Sequence, residues 1–276
     1  MSRRARSGFL LRQFAHSHFS GSEVKFFAHL VKKPPKNSRQ DPSGPGAEVT
    51  IHDLRDLSGP PDADAVVVID VLRAFSTAAV ALDRGVRKIF PVQRVEEAFA
   101  LRGRSPELVL MGEQDCHPIK GFDLGNSPVA AAAFAFDGRV AVQRTTAGTR
   151  GLVTCREAPA LFAASFLVAG ATVQALQALA CRRVACVITG TVHYGSADED
   201  LACAEWLSGL LLGREPDVAP YLQRVRDSVA AATFLDPGSP LYAPNDIAFC
   251  ARADAMGFAM RAERVSGSLE LRRFPE

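Results

Sequence analysis

The segment GEQDCHPIKGFDLGNSP, Gly112 to Pro128, concentrates carboxylates, amides, a hydroxyl and glycines without helical or strand periodicity. Such a loop is composed for chemistry rather than for packing. Glu113 and Asp123 each stand beside a glycine or a strand terminus rather than on a helix face, and their oxygens suit a hard divalent cation. Asn126-Ser127-Pro128 reads as a helix start, with Ser127 at the N-cap and Pro128 at the first helical position. Capping and anion binding are compatible there, because both use free backbone N–H groups.

Three other segments carry complementary groups. Asp70 closes the run VVVID and precedes Val71-Leu72-Arg73. A carboxylate at the end of a buried parallel strand points into the crevice where ligands bind, or else caps the following helix. Arg73 offers a planar fork for a phosphate or sulfonate; the alternative is a surface ion pair. Thr145-Thr146-Ala147-Gly148-Thr149-Arg150 follows VAVQR and precedes a helix. Its hydroxyls, its charge and a glycine that permits close backbone approach describe a phosphate cradle, although an ordinary loop has the same composition. Glu199 and Asp200 lie in the first turn of a helix, where acids either complete an active site or simply complement the helix dipole. His117 and His193 are acid/base candidates, but neither has metal-ligand spacing, and the lack of a His/Cys cluster disfavours zinc.

These segments need a scaffold, and the chain beyond Ala47 supplies one. Short apolar, β-branched runs alternate with alanine- and leucine-rich helical stretches, the pattern of an α/β protein with three α/β/α layers and a largely parallel mixed sheet. Strands are predicted at Val66–Asp70, Lys88–Pro91, Leu108–Met111, Arg139–Gln143, Arg183–Thr189 and Leu269–Arg272. Helices are predicted at Ala74–Arg84, Val95–Arg102, Pro128–Phe136, Gly148–Cys155, Ala171–Ala180, Asp198–Leu212, Val218–Asp227 and Ile247–Ala255, with SVAAATFLDPGSPLYAPND as a turn-rich passage between the last two.

Charge is unevenly placed. Residues 1–46 carry nine Lys/Arg against Glu23 and Asp41, which leaves the rest of the chain at −5 although the total is +2. The body therefore offers no broad basic face for nucleic acid, and a specific anion pocket is expected instead. The leader ends in KKPPKNSRQDPSGPG, a composition that favours solvated chain, so residues 1–46 are expected to be disordered and residues 47–276 to form the folded domain. Its Arg- and Ser-rich opening resembles a mitochondrial transit peptide, and a start codon placed too far upstream leaves the same trace. Six cysteines without a C-x-x-C pair suggest reduced thiols in the cytoplasm, and no apolar run is long enough to span a bilayer.

Read in order, VVVIDVLRAFSTAAVAL, FDLGNSP, VAVQRTTAGTRGL and ADEDLACAEW resemble the 2-phosphosulfolactate phosphatase family over roughly residues 47 to 276. The chain departs from the family pattern at Gln114-Asp115-Cys116-His117, where a glycine-rich loop is expected, and at Ala147, where asparagine is usual. The resemblance implies a phosphoric monoester hydrolase of the coenzyme M branch, taking (R)-2-phospho-3-sulfolactate to 3-sulfolactate and phosphate with magnesium. Under it, Asp70, Glu113 and Asp123 would hold Mg²⁺, while Asp70, Arg73, Glu199 and Asp200 would be catalytic. Asn126, Ser127, Thr145, Thr146, Gly148, Thr149 and Arg150 would bind a small anionic phosphate ester. The expected partners are that substrate alone, with neither nucleic acid nor membrane, and a homodimer is a possible assembly. A magnesium-dependent hydrolase or lyase for another phosphorylated acid, and a non-catalytic anion-binding protein, are the competing readings.

Overall fold

The computed structural model describes residues 47–190 and 195–275. The basic leader 1–46 and His193 lie outside the described residues.

The strands are β1 (Glu48–Asp53), β2 (Ala65–Ile69), β3 (Ile89–Val92), β4 (Val109–Gln114), β5 (His117–Pro118), β6 (Ala141–Arg144), β7 (Leu161–Ala164), β8 (Arg183–Ile188), β9 (Ala259–Val265) and β10 (Ser268–Phe274). The helices are α1 (Ala74–Asp83), α2 (Val95–Arg104), α3 (Pro128–Ala133), α4 (Gly148–Thr154), α5 (Ala169–Ala178), α6 (Asp198–Leu211), α7 (Ala219–Asp227), α8 (Val229–Leu235) and α9 (Pro244–Cys250). The fold is α/β, built on one mixed, mostly parallel sheet ordered β1-β8-β2-β7-β9-β10-β3-β6-β4-β5. All of β2 is buried, as its unbroken AVVVI run requires of a strand covered on both faces.

Two parallel blocks make up this sheet. β1, β8, β2 and β7 form one, and β3, β6 and β4 form the other. The antiparallel steps β7/β9, β9/β10 and β10/β3 lie between them, so the second block runs opposite to the first. In a flat sheet their carboxyl ends would lie on opposite edges. They meet instead around one pocket, which requires the sheet to curl, and its shortest ladder, β10 with β3, pairs only through Leu271 and Ile89. Gln143 of β6 donates from Nε2 to the Ala74 carbonyl of α1 at 2.9 Å. The helix α4 packs against β2, β3 and β7, inside the curl. Every residue of α1 from Ala74 to Leu82 is buried, and its small alanines allow packing on all sides.

The predicted strands and the larger helices appear within a few residues of their expected limits, whereas β1, β5, β7, β9 and α8 were not anticipated. β7 is a four-residue LFAA run that merges in sequence with the apolar residues after it. AMRAERV, β9, is rich in helix formers but pairs with β10 along its whole length, so tertiary pairing overrides local propensity. The first part of the expected turn-rich passage is helical: Ser228 accepts from the Ala231 N–H at 3.1 Å and caps α8.

Gly112 lets β4 lie close against β6, where it is the register partner of Arg144. Its φ is +132°, and a Cβ there would lie 1.8 Å from the Arg144 carbonyl oxygen. No side chain fits without moving backbone. We therefore expect Gly112→Ala to destabilise the fold by at least ~2 kcal/mol, read as a fall in the urea midpoint at unchanged m-value; a midpoint equal to that of the native protein would contradict this close approach of β4 to β6.

Candidate active site

The curl brings the ends of β2, β4, β6 and β8 around one pocket, together with the first turn of α6 and the α8 helix. Asp70, Leu72, Arg73, Glu113, Cys116, Asn126, Thr146, Ala147, Gly190, Glu199, Asp200 and Phe234 line it. Segments far apart in sequence are thus joined: Asp70 and Arg73 follow β2, Glu113 belongs to β4, Thr146 follows β6, and Glu199 and Asp200 open α6.

Both readings of Asp70 hold at once. Its Oδ1 accepts from the Ala74 N–H at 2.9 Å, which caps α1, and its Oδ2 accepts from the Thr189 hydroxyl at 3.2 Å at the pocket edge. Asp200 braces the loops by accepting from the backbone N–H groups of Val71 at 2.8 Å, Thr189 at 3.0 Å and Gly190 at 2.8 Å. Glu113 does likewise on the other side, accepting from Cys116 N–H at 2.7 Å, Thr146 N–H at 2.6 Å and the Thr146 hydroxyl at 3.0 Å. Arg144 donates to the Glu113 carbonyl at 2.8 Å and holds that loop against β6. Glu199 is 2% exposed and Asp200 1%, which is far more burial than the helix dipole alone would demand.

Burial of these acids has an electrostatic consequence. Desolvation pushes the Asp70 carboxyl up to about 7, with the Asp200 and Glu113 charges adding to it. Glu199 is raised to about 7 by burial and by the Asp70 charge, and Asp200 to about 7 by burial and by Glu199. Arg73 is the one cation among the described residues that line the pocket. Instead of a surface ion pair it makes a buried one, with Nη1 2.6 Å from Asp246 Oδ2, and its guanidinium lies 4.1 Å from the centroid of the Phe234 ring. Two buried polar atoms of lining residues have no partner among the described residues: Arg73 Nε and Asn126 Oδ1.

The remaining expectations divide. Ser127 caps α3, accepting from the Ala130 N–H at 3.1 Å, and also donates to Asp246 Oδ1 at 2.7 Å. Asp123 is removed from the metal set: its carboxylate is taken by Arg102 and by the Leu110 N–H at 2.8 Å, outside the pocket lining. Thr145 and Thr149 are turned toward each other, with the Thr149 N–H donating to Thr145 Oγ1 at 3.0 Å, so they shape the turn rather than face the pocket. Gly148 permits a close approach, but to protein: a Cβ there would lie 2.8 Å from both Asp70 Oδ2 and the Ala74 Cβ. Arg150 is exposed and is not among the lining residues. The expected cradle thus reduces to Thr146 and Ala147. His117 is exposed on β5.

Sequence reasoning missed Asp246, Phe234, Leu72, Cys116 and Gly190. Asp246 is 2% exposed although it sits in a passage expected to be turn. The signal was present in Pro244-Asn245-Asp246, a proline at a helix start followed by an acid in the first turn.

No three His, Cys, Asp or Glu side chains among the described residues converge tightly enough to enclose a metal ion by themselves. Magnesium does not need such a cage, since it is commonly held by one or two carboxylates and completed by water and substrate phosphate. Crowded carboxylates that resist ionisation, together with the unpartnered Asn126 Oδ1, fit a hard cation in donor chemistry.

A model of the 2-phosphosulpholactate phosphatase family matches residues 51–263, a stretch that contains every lining residue of the pocket. A Bacillus subtilis protein named probable 2-phosphosulfolactate phosphatase is 34% identical over 203 residues, covering 73% of this chain and 88% of its own length. A protein of the same name from Parasynechococcus marenigrum is 35% identical over 180 residues, 64% of this chain and 72% of its own length. Another, from Caldicellulosiruptor saccharolyticus, is 35% identical over 156 residues, 55% of this chain and 64% of its own length.

The raised carboxyls give a pH dependence with a definite sign. Unfolded, these acids ionise near pH ~4; folded, they hold protons to about 7, so their stabilising contribution is complete below the unfolded value and is lost as pH rises through about 7. Carboxylates with lowered values, such as Glu97 and Glu270, act in the opposite direction and are common to native protein and variant. In EDTA, Glu199→Gln should therefore gain stability relative to the native protein as pH is raised from 5 to 8, as measured by urea unfolding at each pH. A constant difference across that range would show that Glu199 is not held protonated.

Proposed function

Given that this chain belongs to the 2-phosphosulfolactate phosphatase family, and is thus a phosphoric monoester hydrolase, we propose that it hydrolyses (R)-2-phospho-3-sulfolactate to 3-sulfolactate and phosphate with Mg²⁺. The observation that carries this reading is the charge balance of the pocket. Among the described residues, four carboxylates and one guanidinium line a site whose proposed substrate bears phosphate, carboxylate and sulfonate. Anions enter such a site only if further positive charge accompanies them.

Asp70 and Glu113 would hold the ion, which would neutralise phosphate oxygens and lower the pKa of water bound to it. The protein's own groups supply the rest. Arg73, clamped by Asp246 and Phe234, would donate from its unpartnered Nε to an oxygen of the substrate. Thr146 and Asn126 add polar groups to the same lining. Hydrolysis joins a water oxygen to phosphorus, breaks the bond from phosphorus to the ester oxygen and returns a proton to the departing alkoxide. Glu199, raised to about 7, is suited to take the proton of the attacking water near neutral pH. Asp200 holds Val71, Thr189 and Gly190 in place and so fixes Asp70 beside it.

A second reading rests on the wall formed by Leu72, Cys116 and Phe234, which is apolar and includes a residue of the altered Gln114–His117 stretch. It favours another phosphorylated acid with an apolar portion. The buried free thiols Cys155, Cys186, Cys203 and Cys250 support a reducing, cytoplasmic setting, and the reaction would belong to coenzyme M biosynthesis. No described helix is long and apolar enough to cross a membrane.

Phosphate release from a panel of phospho-acids, with and without Mg²⁺, tests this function. We expect 2-phospho-3-sulfolactate to be the fastest substrate, turnover to vanish in EDTA and return with Mg²⁺, and Asp70→Asn to lower kcat on the order of a hundredfold while remaining folded. Full turnover by metal-stripped protein would overturn the role of the ion, and a faster, less charged substrate would favour the second reading.

A further inference from the structure

The geometry points to Asp246 as the positioning residue that aims Arg73 at the substrate. Asp246 comes from α9, 173 residues beyond Arg73 in the chain, and is 2% exposed. Its Oδ2 accepts from Arg73 Nη1 at 2.6 Å; its Oδ1 accepts from the Ser127 hydroxyl at 2.7 Å and from the Val129 N–H at 3.3 Å. One carboxylate therefore ties the arginine after β2 to the loop that carries Asn126.

What this accomplishes follows from the environment of Arg73. Arg73 is 8% exposed, its guanidinium lies over the Phe234 ring, and its buried Nε has no partner among the described residues. A planar guanidinium fixed on one edge by a carboxylate and on one face by a ring has a defined direction for its remaining donors. Asn126 Oδ1, next to Ser127 in sequence, is the other buried lining atom without a partner. Asp246 thus holds together the segments that carry the two unsatisfied groups of the pocket. A side chain that served only to join α9 to the body would have no need to leave donors and acceptors idle at the lining, since buried polar atoms without partners are costly. They are accounted for if Arg73 Nε donates to a bound oxyanion and Asn126 Oδ1 accepts from a water or contacts the cation that accompanies it.

This rests on the phosphate-ester reading of the pocket, and its consequence is specific: loss of the Asp246 charge should loosen substrate binding through Arg73 rather than slow the chemical step. The test is a double-mutant cycle of Asp246→Asn and Arg73→Ala, with kcat and KM measured for the phosphate ester and affinity for inorganic phosphate measured by calorimetry, Mg²⁺ present in both. We expect Asp246→Asn to raise KM on the order of tenfold with much less change in kcat, and the double variant to be little worse than Arg73→Ala alone. Asp246→Glu keeps a charge for Arg73 while moving it by one methylene, and should raise KM less; it gives the same reading if the asparagine variant does not fold. An unchanged KM and phosphate affinity in a variant that only melts earlier, or effects of the two substitutions that multiply, would overturn the assignment. If the native protein hydrolyses no phosphate ester, the hydrolase reading falls, and the phosphate titration decides the role of Asp246 by the same cycle.

Discussion

Among the described residues, four carboxylates and a single guanidinium share one pocket, and the structure is arranged around keeping those charges where they are. Burial makes Asp70, Glu199 and Asp200 poor anions, and their mutual repulsion adds to the effect. A cluster of this kind persists only if other interactions hold it. Asp200 and Glu113 are held by backbone N–H groups, and Asp70 by the first turn of α1. The backbone thus stabilises the acids, and the acids in turn fix loops that would otherwise end their strands freely.

Sheet topology explains how distant acids reach one place. The parallel blocks run in opposite senses, and the β9–β10 hairpin between them makes that reversal possible. With one ladder reduced to Leu271 and Ile89, the sheet curls and strand ends from both blocks face each other. Gly112 and Gly148 mark where backbone or side chain comes too close for a Cβ. Through Asp246, α9 ties together the two segments that carry Arg73 and Asn126.

Much of this could be read from the sequence. The AVVVI run announced a doubly covered strand, and an acid at its end pointed to a crevice. Ser127 and Pro128 marked a helix start because capping chemistry is local. What stayed hidden was non-local. Asp123 looks like a ligand beside its glycine, and only the folded chain brings Arg102 to neutralise it. Thr145 and Thr149 look like a cradle, yet at a separation of four residues they satisfy each other. The same limit hid Asp246, whose significance depends on an arginine 173 residues earlier, and β9, whose sequence favours helix until β10 pairs with it.

We propose that these crowded acids hold a divalent cation. Calorimetric titration of EDTA-stripped protein with Mg²⁺, in buffers of different ionisation enthalpy, measures the protons released on binding. Because carboxyls near 7 must ionise to hold the ion, binding should release protons at pH 6.5 and fewer at pH 8.5, and Asp70→Asn should bind weakly. Absence of Mg²⁺ binding, or tight binding with no proton release at pH 6.5, would contradict the account.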